Sequence, residues 1–180
     1  MAENVTRKYL LVDAYNVINE VEELRIHMDE DLEKAREFFI GQMIEFSHYT
    51  REKIILVFDA YLVRSRVEKV EQRQGIEIVF TKFTQTADAY IEARVGELTQ
   101  KITNEVRVVT KDALEQQIVL GKGALRMLPR ELYYEVEFMG RRIKNKYQPE
   151  DTGVKERLED RLNQRSLEAL KKISDKNFEY

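Results

Sequence analysis

The chain has 180 residues, with 30 lysines and arginines against 33 aspartates and glutamates, so its formal net charge is −3. A chain of this length fits one domain, and its 7 glycines and 2 prolines are too few for low-complexity linkers or collagen-like repeats. The absence of cysteine excludes disulfides, thiolate nucleophiles and cysteine-based metal sites, and the 2 histidines cannot form a three-histidine site.

Four short apolar runs, rich in β-branched and aromatic residues, are typical of strands that are buried on both faces. In chain order these runs are Tyr9–Val12, Ile54–Phe58, Ile76–Phe80 and Val106–Val109.

Apolar residues recur every three or four positions elsewhere along the chain, which predicts amphipathic helices. Thr86 is a plausible N-cap for the predicted helix that begins at Ala87, and the segment from Asp112 to Glu115 resembles a capping box. The predicted helices cover about Leu32–Phe46, Ala87–Ile102, Asp112–Gly121, Pro129–Lys146 and Val154–Ile173.

Strands that alternate with helices predict an α/β domain with a mainly parallel central sheet and right-handed crossovers. We assign residues 1–147 to this domain and residues 148–180 to a linker, Gln148–Gly153, and a C-terminal helix. No apolar run approaches the roughly 20 residues of a membrane span, and the first residues lack a signal-peptide pattern. We therefore expect a cytoplasmic protein without a membrane partner.

Aspartates stand where the predicted strands end or where the following helices begin. Asp13 and Asp59 end the first two strands, Asp88 opens the helix after the third, and Asp112 follows the fourth. Glu92 lies one helical turn after Asp88. Because sites in open α/β sheets form beyond the carboxyl ends of the strands, these carboxylates should converge at one edge.

Several carboxylates in one crevice repel each other unless some take up protons or a cation neutralises them. A hard divalent cation such as Mg²⁺ or Mn²⁺ prefers oxygen ligands, and it can activate water and stabilise the charge that develops on a phosphodiester. The alternative is structural, because an Asp at a helix start is often only a cap. Asp13 fits that alternative least well, since a carboxylate after Leu-Leu-Val should be largely buried and is costly without partners.

Other enzyme classes fit less well. The glycine-rich fingerprints of dinucleotide and nucleoside-triphosphate sites are absent, so no organic cofactor is expected. A haloacid-dehalogenase-like phosphatase needs a second Asp where Tyr15 stands. A Ser–His–Asp hydrolase needs a poised histidine, whereas we place His27 in a loop and His48 near a helix end.

An ordered set of motifs resembles the YacP-like branch of the NYN nucleases, which belongs to the PIN-like, metal-dependent ribonucleases. The resemblance covers about residues 7–146. The motifs are Leu11–Ile18, Val57–Ala60, Phe80–Lys82 with Thr86–Asp88, Thr110–Asp112 with Glu115 and Gln116, Gly121–Arg126, and Arg130–Leu132.

This resemblance implies a PIN-like three-layer α/β/α sandwich and an endoribonuclease that depends on Mg²⁺ or Mn²⁺. In the Gram-positive branch it also implies association with the ribosome and cleavage of mRNA during translation. Carried over to this chain, Asp13, Asp88 and Asp112 would be catalytic acids of the metal site. Asn16 would orient Asp13 or a phosphate, and Asp59 would belong to an outer part of the site.

The chain departs from the family pattern at one position. Relatives often carry a second acid directly after the Asp of the Thr-Ala-Asp segment, and this chain has Ala89 there. Either Glu92 compensates for the missing acid or only one ion is bound tightly.

Local charge suggests where RNA would bind, since the total charge does not favour it. Residues 121–147 contain seven basic side chains against three acidic ones, and residues 62–74 contain four against two. Tyr15, Tyr61 and Tyr90 flank the site acids and could stack on unpaired bases. The RNA-binding candidates are Arg64, Arg66, Lys111, Lys122, Arg126, Arg141 and Arg142.

The sequence therefore predicts a metal-dependent endoribonuclease acting on RNA, with mRNA on the ribosome as the implied substrate. The alternative is a catalytically weak or inactive domain that binds RNA or the ribosome through the same face.

Overall fold

The computed structural model describes residues 6–59 and 68–147, except for the side chains of residues 146 and 147. The described residues form six strands and six α-helices. The strands are β1 (Arg7–Asp13), β2 (Lys53–Phe58), β3 (Lys69–Arg73), β4 (Ile76–Phe80), β5 (Asn104–Val109) and β6 (Leu125–Met127). The helices are α1 (Ala14–Glu20), α2 (Glu22–Glu30), α3 (Leu32–Thr50), α4 (Ala87–Leu98), α5 (Ala113–Gly121) and α6 (Pro129–Tyr147).

The six strands form one mainly parallel sheet in the order β3-β4-β2-β1-β5-β6. The inner strand β1 is parallel to both β2 and β5. Only β3 among them is antiparallel to its neighbour, and it joins β4 through a two-residue turn. Gln74 and Gly75 in that turn both have positive φ, as a type I′ hairpin requires. The carboxyl ends of β1, β2, β4 and β5 therefore share one edge.

Helices cover both faces of the sheet. On one face, Leu11 and Val57 belong to the same buried cluster as Ile91 of α4 and Val119 of α5. Strand side chains alternate, so the neighbours of these residues point to the other face, where α1 packs Tyr15 edge-to-face against Phe58. The buried residues of β1 and β2 on that second face are Leu10, Val12, Ile54, Leu56 and Phe58. The predicted three-layer α/β/α sandwich is confirmed.

The four predicted strands are present, but β3 and β6 were missed. Both are edge strands whose residues are largely exposed, so they lack the continuous apolar run of a buried strand. Two helix predictions were also wrong. His27 lies in helix α2 rather than in a loop, and Ile102 lies beyond the end of α4, fully exposed to solvent.

Three predicted helix boundaries are confirmed. Thr86 caps α4 by accepting a hydrogen bond from the Ala89 amide, Asp112 caps α5, and Pro129 is the first residue of α6. Among the described residues, no helix is long and apolar enough to cross a membrane.

The chain divides into two units, Met1–Met139 and Gly140–Tyr180. The first unit contains the sheet and helices α1 to α5. Of the second, the structure describes the last turns of α6, residues 140–147. The predicted linker and C-terminal helix lie outside the described residues, and the boundary between residues 1–147 and 148–180 stays a prediction.

Candidate metal centre

A cleft of ≈ 630 Å³ lies at the carboxyl edge of the sheet. All four aspartates that follow strands or open helices line it. Parallel pairing of β1 with β2 and β5 accounts for this convergence, because it brings together chain segments that are far apart in sequence. The lining residues are Asp13, Tyr15, Asn16, Asn19, Glu20, Met28, Asp59, Thr86, Ala87, Asp88, Lys111 and Asp112.

Three carboxylates form a compact cluster at this cleft. Asp13, Asp88 and Glu115 each offer one oxygen, and these oxygens lie within 4.8 Å of one another. Asp13 comes from the end of β1, Asp88 from the first turn of α4 and Glu115 from the first turn of α5. Asp13 and Glu115 are buried, whereas Asp88 is exposed to the solvent. The cluster therefore joins the interior of the protein to the open cleft.

Burial makes Asp13 and Glu115 hard to ionise without a cation. It raises the pKa of Asp13 to about 6, against the hydrogen bonds from Asn16 and with the help of the charges of Asp88 and Asp59. Burial also raises the pKa of Glu115 to about 8; the Thr110 hydroxyl lowers it, and the charges of Asp88 and Asp13 raise it further.

The Glu115 carboxyl group shows that the cluster fits a cation. Its residue is only 4% exposed, and neither carboxyl oxygen makes a hydrogen bond of good geometry, although the Thr110 hydroxyl and the Asp88 carboxyl lie near enough to influence its pKa. A buried carboxylate without partners is costly, whereas a divalent cation held with Asp13 and Asp88 would satisfy it. Three carboxylate oxygens are the donor set that hard cations such as Mg²⁺ and Mn²⁺ prefer.

Polar neighbours hold the cluster in place. Asp13 also caps its helix, contrary to expectation: as the N-cap of α1 it accepts the Asn16 backbone amide at 3.1 Å, and its other oxygen accepts the Asn16 side-chain amide at 3.2 Å. Asp59 accepts the Ala87 amide at 3.3 Å and so ties the start of α4 to the end of β2. Asp112 accepts the amides of Leu114 and Glu115 at 2.7 and 3.0 Å. The hydrogen bonds to Asp59 and Asp112 thus fix the starts of α4 and α5, which carry Asp88 and Glu115.

Three of the residues expected to hold metal, Asp59, Asp112 and Glu92, lie outside the three-carboxylate cluster. Asp59 lines the cleft and accepts the Ala87 amide. Asp112 lines the cleft, but one of its oxygens is engaged in capping α5. Glu92 forms an ion pair with Lys122 at 3.0 Å and does not line the cleft. Asp112 therefore shows the capping geometry that a helix-start Asp favours, and Glu92 is not the acid that accompanies Asp13 and Asp88.

Glu115 is the member of the acidic cluster that sequence reasoning missed. Its spacing from Asp112 is that of a capping box, in which Glu115 would bind the Asp112 amide. In the structure that amide binds the Thr110 hydroxyl instead, at 3.1 Å, and the Glu115 carboxyl joins the cluster. A Glu three residues after a capping Asp is therefore compatible with either role, and the local sequence does not distinguish them.

The sequence profile of the YacP-like NYN domain family matches residues 10–175. The chain belongs to this family. It is 39% identical over 137 residues to the "Uncharacterized protein YacP" of Bacillus subtilis (strain 168). The matched segment covers 76% of this chain and 79% of the relative.

Solved structures of a YacP-like protein share the fold. A crystal structure of Rae1 (YacP) from Bacillus subtilis has a TM-score of 0.62 at 34% identity and covers 93% of this chain and 94% of that one. A mutant of the same protein has a TM-score of 0.66 at 37% identity, with 76% and 79% covered. Membership of the YacP-like NYN family implies a nuclease-like function on RNA, and the acidic cluster is a candidate metal site.

Three of the seven basic residues predicted to bind RNA in this YacP-like chain contact acidic or polar partners in the structure. Lys111 pairs with Glu20 at 2.6 Å, Lys122 pairs with Glu92, and Arg126 donates to Gln116 at 3.0 Å. Lys111 is also the only one of the predicted RNA-binding residues, within the described part of the chain, that lines the acidic cleft. Arg141 and Arg142 are exposed on α6, and Arg64 and Arg66 lie outside the described residues.

The tyrosines offer less to RNA than the sequence suggested. Tyr15 is 7% exposed and packs against Phe58, with ring centroids 5.3 Å apart, so its ring has no free face for a base. Tyr90 is half-buried and packs against the core cluster of α4. Tyr61 lies outside the described residues.

Proposed function

We propose that this protein is a metal-dependent endoribonuclease whose metal is held by Asp13, Asp88 and Glu115. The buried Glu115 carboxyl, without a hydrogen bond of good geometry beside two further carboxylates, is the observation that carries the proposal. Capping explains Asp112, and the hydrogen bond from the Ala87 amide explains Asp59, but neither role explains why Glu115 is buried there. A cation site does explain it.

The residues around the cluster have separate roles in this proposal. A bound Mg²⁺ or Mn²⁺ supplies an activated water and neutralises charge on the phosphodiester. Asp13 is presented by β1 and kept in orientation by both amide groups of Asn16. Asp88, which is exposed, faces the side from which a phosphate enters. Asp112 would act by positioning Glu115 through the α5 cap, and Asp59 by positioning α4.

Hydrolysis by an activated water would leave a 5′-phosphate and a 3′-hydroxyl end. The substrate class we propose is single-stranded RNA, and specifically mRNA on the translating ribosome. Family membership supports the RNA part of this proposal. The ribosome part rests on the resemblance of the motif set alone.

Cleavage of a labelled single-stranded RNA by purified protein tests the proposal. Cleavage should require Mn²⁺ or Mg²⁺ and should stop in EDTA. Asp13→Asn and Glu115→Gln should each lose nearly all activity, whereas Asp112→Asn should retain more, because its amide oxygen can still accept the cap hydrogen bonds. Glu105→Gln is a matched control, since Glu105 lies at the start of β5 and pairs with Lys8 away from the cleft.

The competing function is RNA or ribosome binding without catalysis. It predicts that RNA binds with equal affinity to the wild type and to Glu115→Gln, and that no metal produces cleavage. Cleavage that persists in EDTA, or in Glu115→Gln, would instead disprove the assigned ligand set.

A further inference from the structure

A small ion cluster occupies the rim of the acidic cleft. One oxygen of Glu20 accepts Lys111 at 2.6 Å, and the other accepts Arg130 at 3.2 Å. The two cations are 64% and 78% exposed, whereas Glu20 is 22% exposed. These groups come from the end of α1, the turn before α5 and the start of α6, which are distant in sequence. The fold, and not the local sequence, therefore brings Glu20, Lys111 and Arg130 together at the rim of the cleft.

Grooves continue from the cleft past this ion cluster. Glu20 lines both the acidic cleft and a second groove of ≈ 350 Å³, whose charged residues are mainly acidic, with Glu22, Glu23 and Glu137 beside Glu20 and only Arg130 as a cation. Arg130 and Tyr134 in turn line a third groove of ≈ 730 Å³, which includes Arg126. Only the third groove has more cations than acids, with Arg107, Arg126 and Arg130 against Glu131 and Glu135. The path that suits a polyanion therefore runs from the carboxylates past Lys111 and Arg130 into the third groove, where Tyr134 is 63% exposed.

We propose that Glu20 holds the place of an RNA phosphate, and that a single strand leaves the metal centre along Lys111 and Arg130 to stack a base on Tyr134. This inference rests on the proposed nuclease function and assigns the path of its substrate. A carboxylate that takes hydrogen bonds from two cations resembles a phosphate oxygen pair in charge and geometry. Entering RNA would displace Glu20 and take over its two partners.

The charges favour this exchange. Glu20 stays ionised because its pKa is lowered by the hydrogen bond from Lys111 and by the charges of Lys111 and Arg130. Ion pairs between exposed side chains are weak, so a polyanion with several phosphates can replace one carboxylate. Without Glu20, the same two cations would attract RNA and would lose nothing to an internal partner.

An RNA strand fits this path better than an acidic protein segment. Exposed aromatic rings stack on bases of any sequence, and Tyr134 lies beside the cations of the third groove. An acidic peptide would use the cations but would have no group to stack on the ring. RNA is therefore the occupant that uses both the cations and the aromatic ring of the third groove.

Binding of fluorescent single-stranded RNA to the full chain in EDTA tests the inference apart from cleavage. Glu20→Gln should bind several-fold more tightly, and the slope of log affinity against log salt should steepen by roughly 1, since each phosphate contact on a single strand adds about 0.7. Glu97→Gln is the matched control, because Glu97 forms a comparable 2.7 Å pair with Arg94 near the end of α4. It should change neither quantity beyond a small general charge effect.

Second variants separate displacement from a mere loosening of the rim. Lys111→Gln should weaken binding more in the Glu20→Gln background than in the wild type, because only there is Lys111 fully available. Tyr134→Ala should weaken binding about 5-fold or more, whereas Tyr134→Phe should keep it. Poly-glutamate should compete poorly with RNA.

Two results would overturn the inference. RNA affinity that is unchanged or lower in Glu20→Gln would mean that Glu20 only holds the rim together, and poly-glutamate that competes as well as RNA would mean that the groove takes acidic peptides. If the wild type cleaves RNA with Mn²⁺ in either case, the proposed function stands and only the path is wrong. A wild type that neither cleaves nor binds RNA would remove both.

Discussion

Replacement of Glu115 by Gln should stabilise the metal-free protein at neutral pH and destabilise the metal-bound one relative to the wild type. The folded protein holds the Glu115 proton up to a pKa of about 8, whereas an unperturbed glutamate ionises near 4.5. The stability that the neutral form supplies is therefore fully present below pH 4.5. It is lost as the pH rises towards 8.

The size of the effect follows from that interval. Each pH unit above 4.5 costs the wild type about 1.4 kcal/mol, which amounts to roughly 3 kcal/mol at pH 7. Gln carries no charge, and its amide group can donate a hydrogen bond to the carboxylate of Asp13 or Asp88. Glu115→Gln should therefore match the wild type near pH 4.5 and exceed its free energy of unfolding by a few kcal/mol at pH 8.

Urea unfolding followed by far-UV circular dichroism measures this difference, because the chain contains no tryptophan to report by fluorescence. Both proteins are compared in EDTA from pH 4.5 to 8 and again with saturating Mn²⁺. A ligand at 100 times its dissociation constant adds about 2.7 kcal/mol, and the wild type should gain this while the variant gains much less. If the free energies of unfolding of the two proteins changed in parallel with pH in EDTA, or if Mn²⁺ stabilised both equally, Glu115 would not be a buried carboxyl group that binds a cation.

Three further predictions concern Asp88, the ion pair between Glu52 and Arg107, and the exposed cations of α6. Asp88→Asn should leave the metal-free fold as stable as the wild type or slightly more stable, because it removes repulsion, while cleavage falls sharply; marked unfolding in thermal melts would favour a purely structural role for Asp88. Glu52→Ala should lower the free energy of unfolding by about 3 kcal/mol, because Arg107 then loses its 2.8 Å partner in a largely buried pair and keeps only Glu135. Urea unfolding measures that loss, and a change below about 1 kcal/mol would show that the pair is effectively solvated. Replacing three exposed cations of α6 with Gln should weaken RNA binding and flatten its salt dependence without unfolding, as anisotropy titrations would show; an unchanged salt slope would make this helix end a solvated surface only. These cations are Arg141, Arg142 and Lys144.

The sequence alone determined the fold class and the edge of the sheet that carries the site. Strands buried on both faces read as uninterrupted apolar runs, and the aspartates that follow them must meet where parallel strands end. Asp13 and Asp88 were identified by this reasoning, and both belong to the carboxylate cluster. Asn16 was assigned to orient Asp13, and it binds both oxygens of that carboxylate.

The tertiary structure decided which acids share the centre. Asp112 and Glu115 stand three residues apart at the start of one helix, and the local sequence is compatible with either pointing into the site. The cap hydrogen bonds engage Asp112, and the packing of α5 against the sheet buries Glu115 beside Asp13. The contact between Glu20 and Lys111 spans 91 residues of sequence, so nothing local could have indicated it. Local sequence determines where a chain turns and which face it buries, but distances between side chains on different elements follow only from how those elements pack.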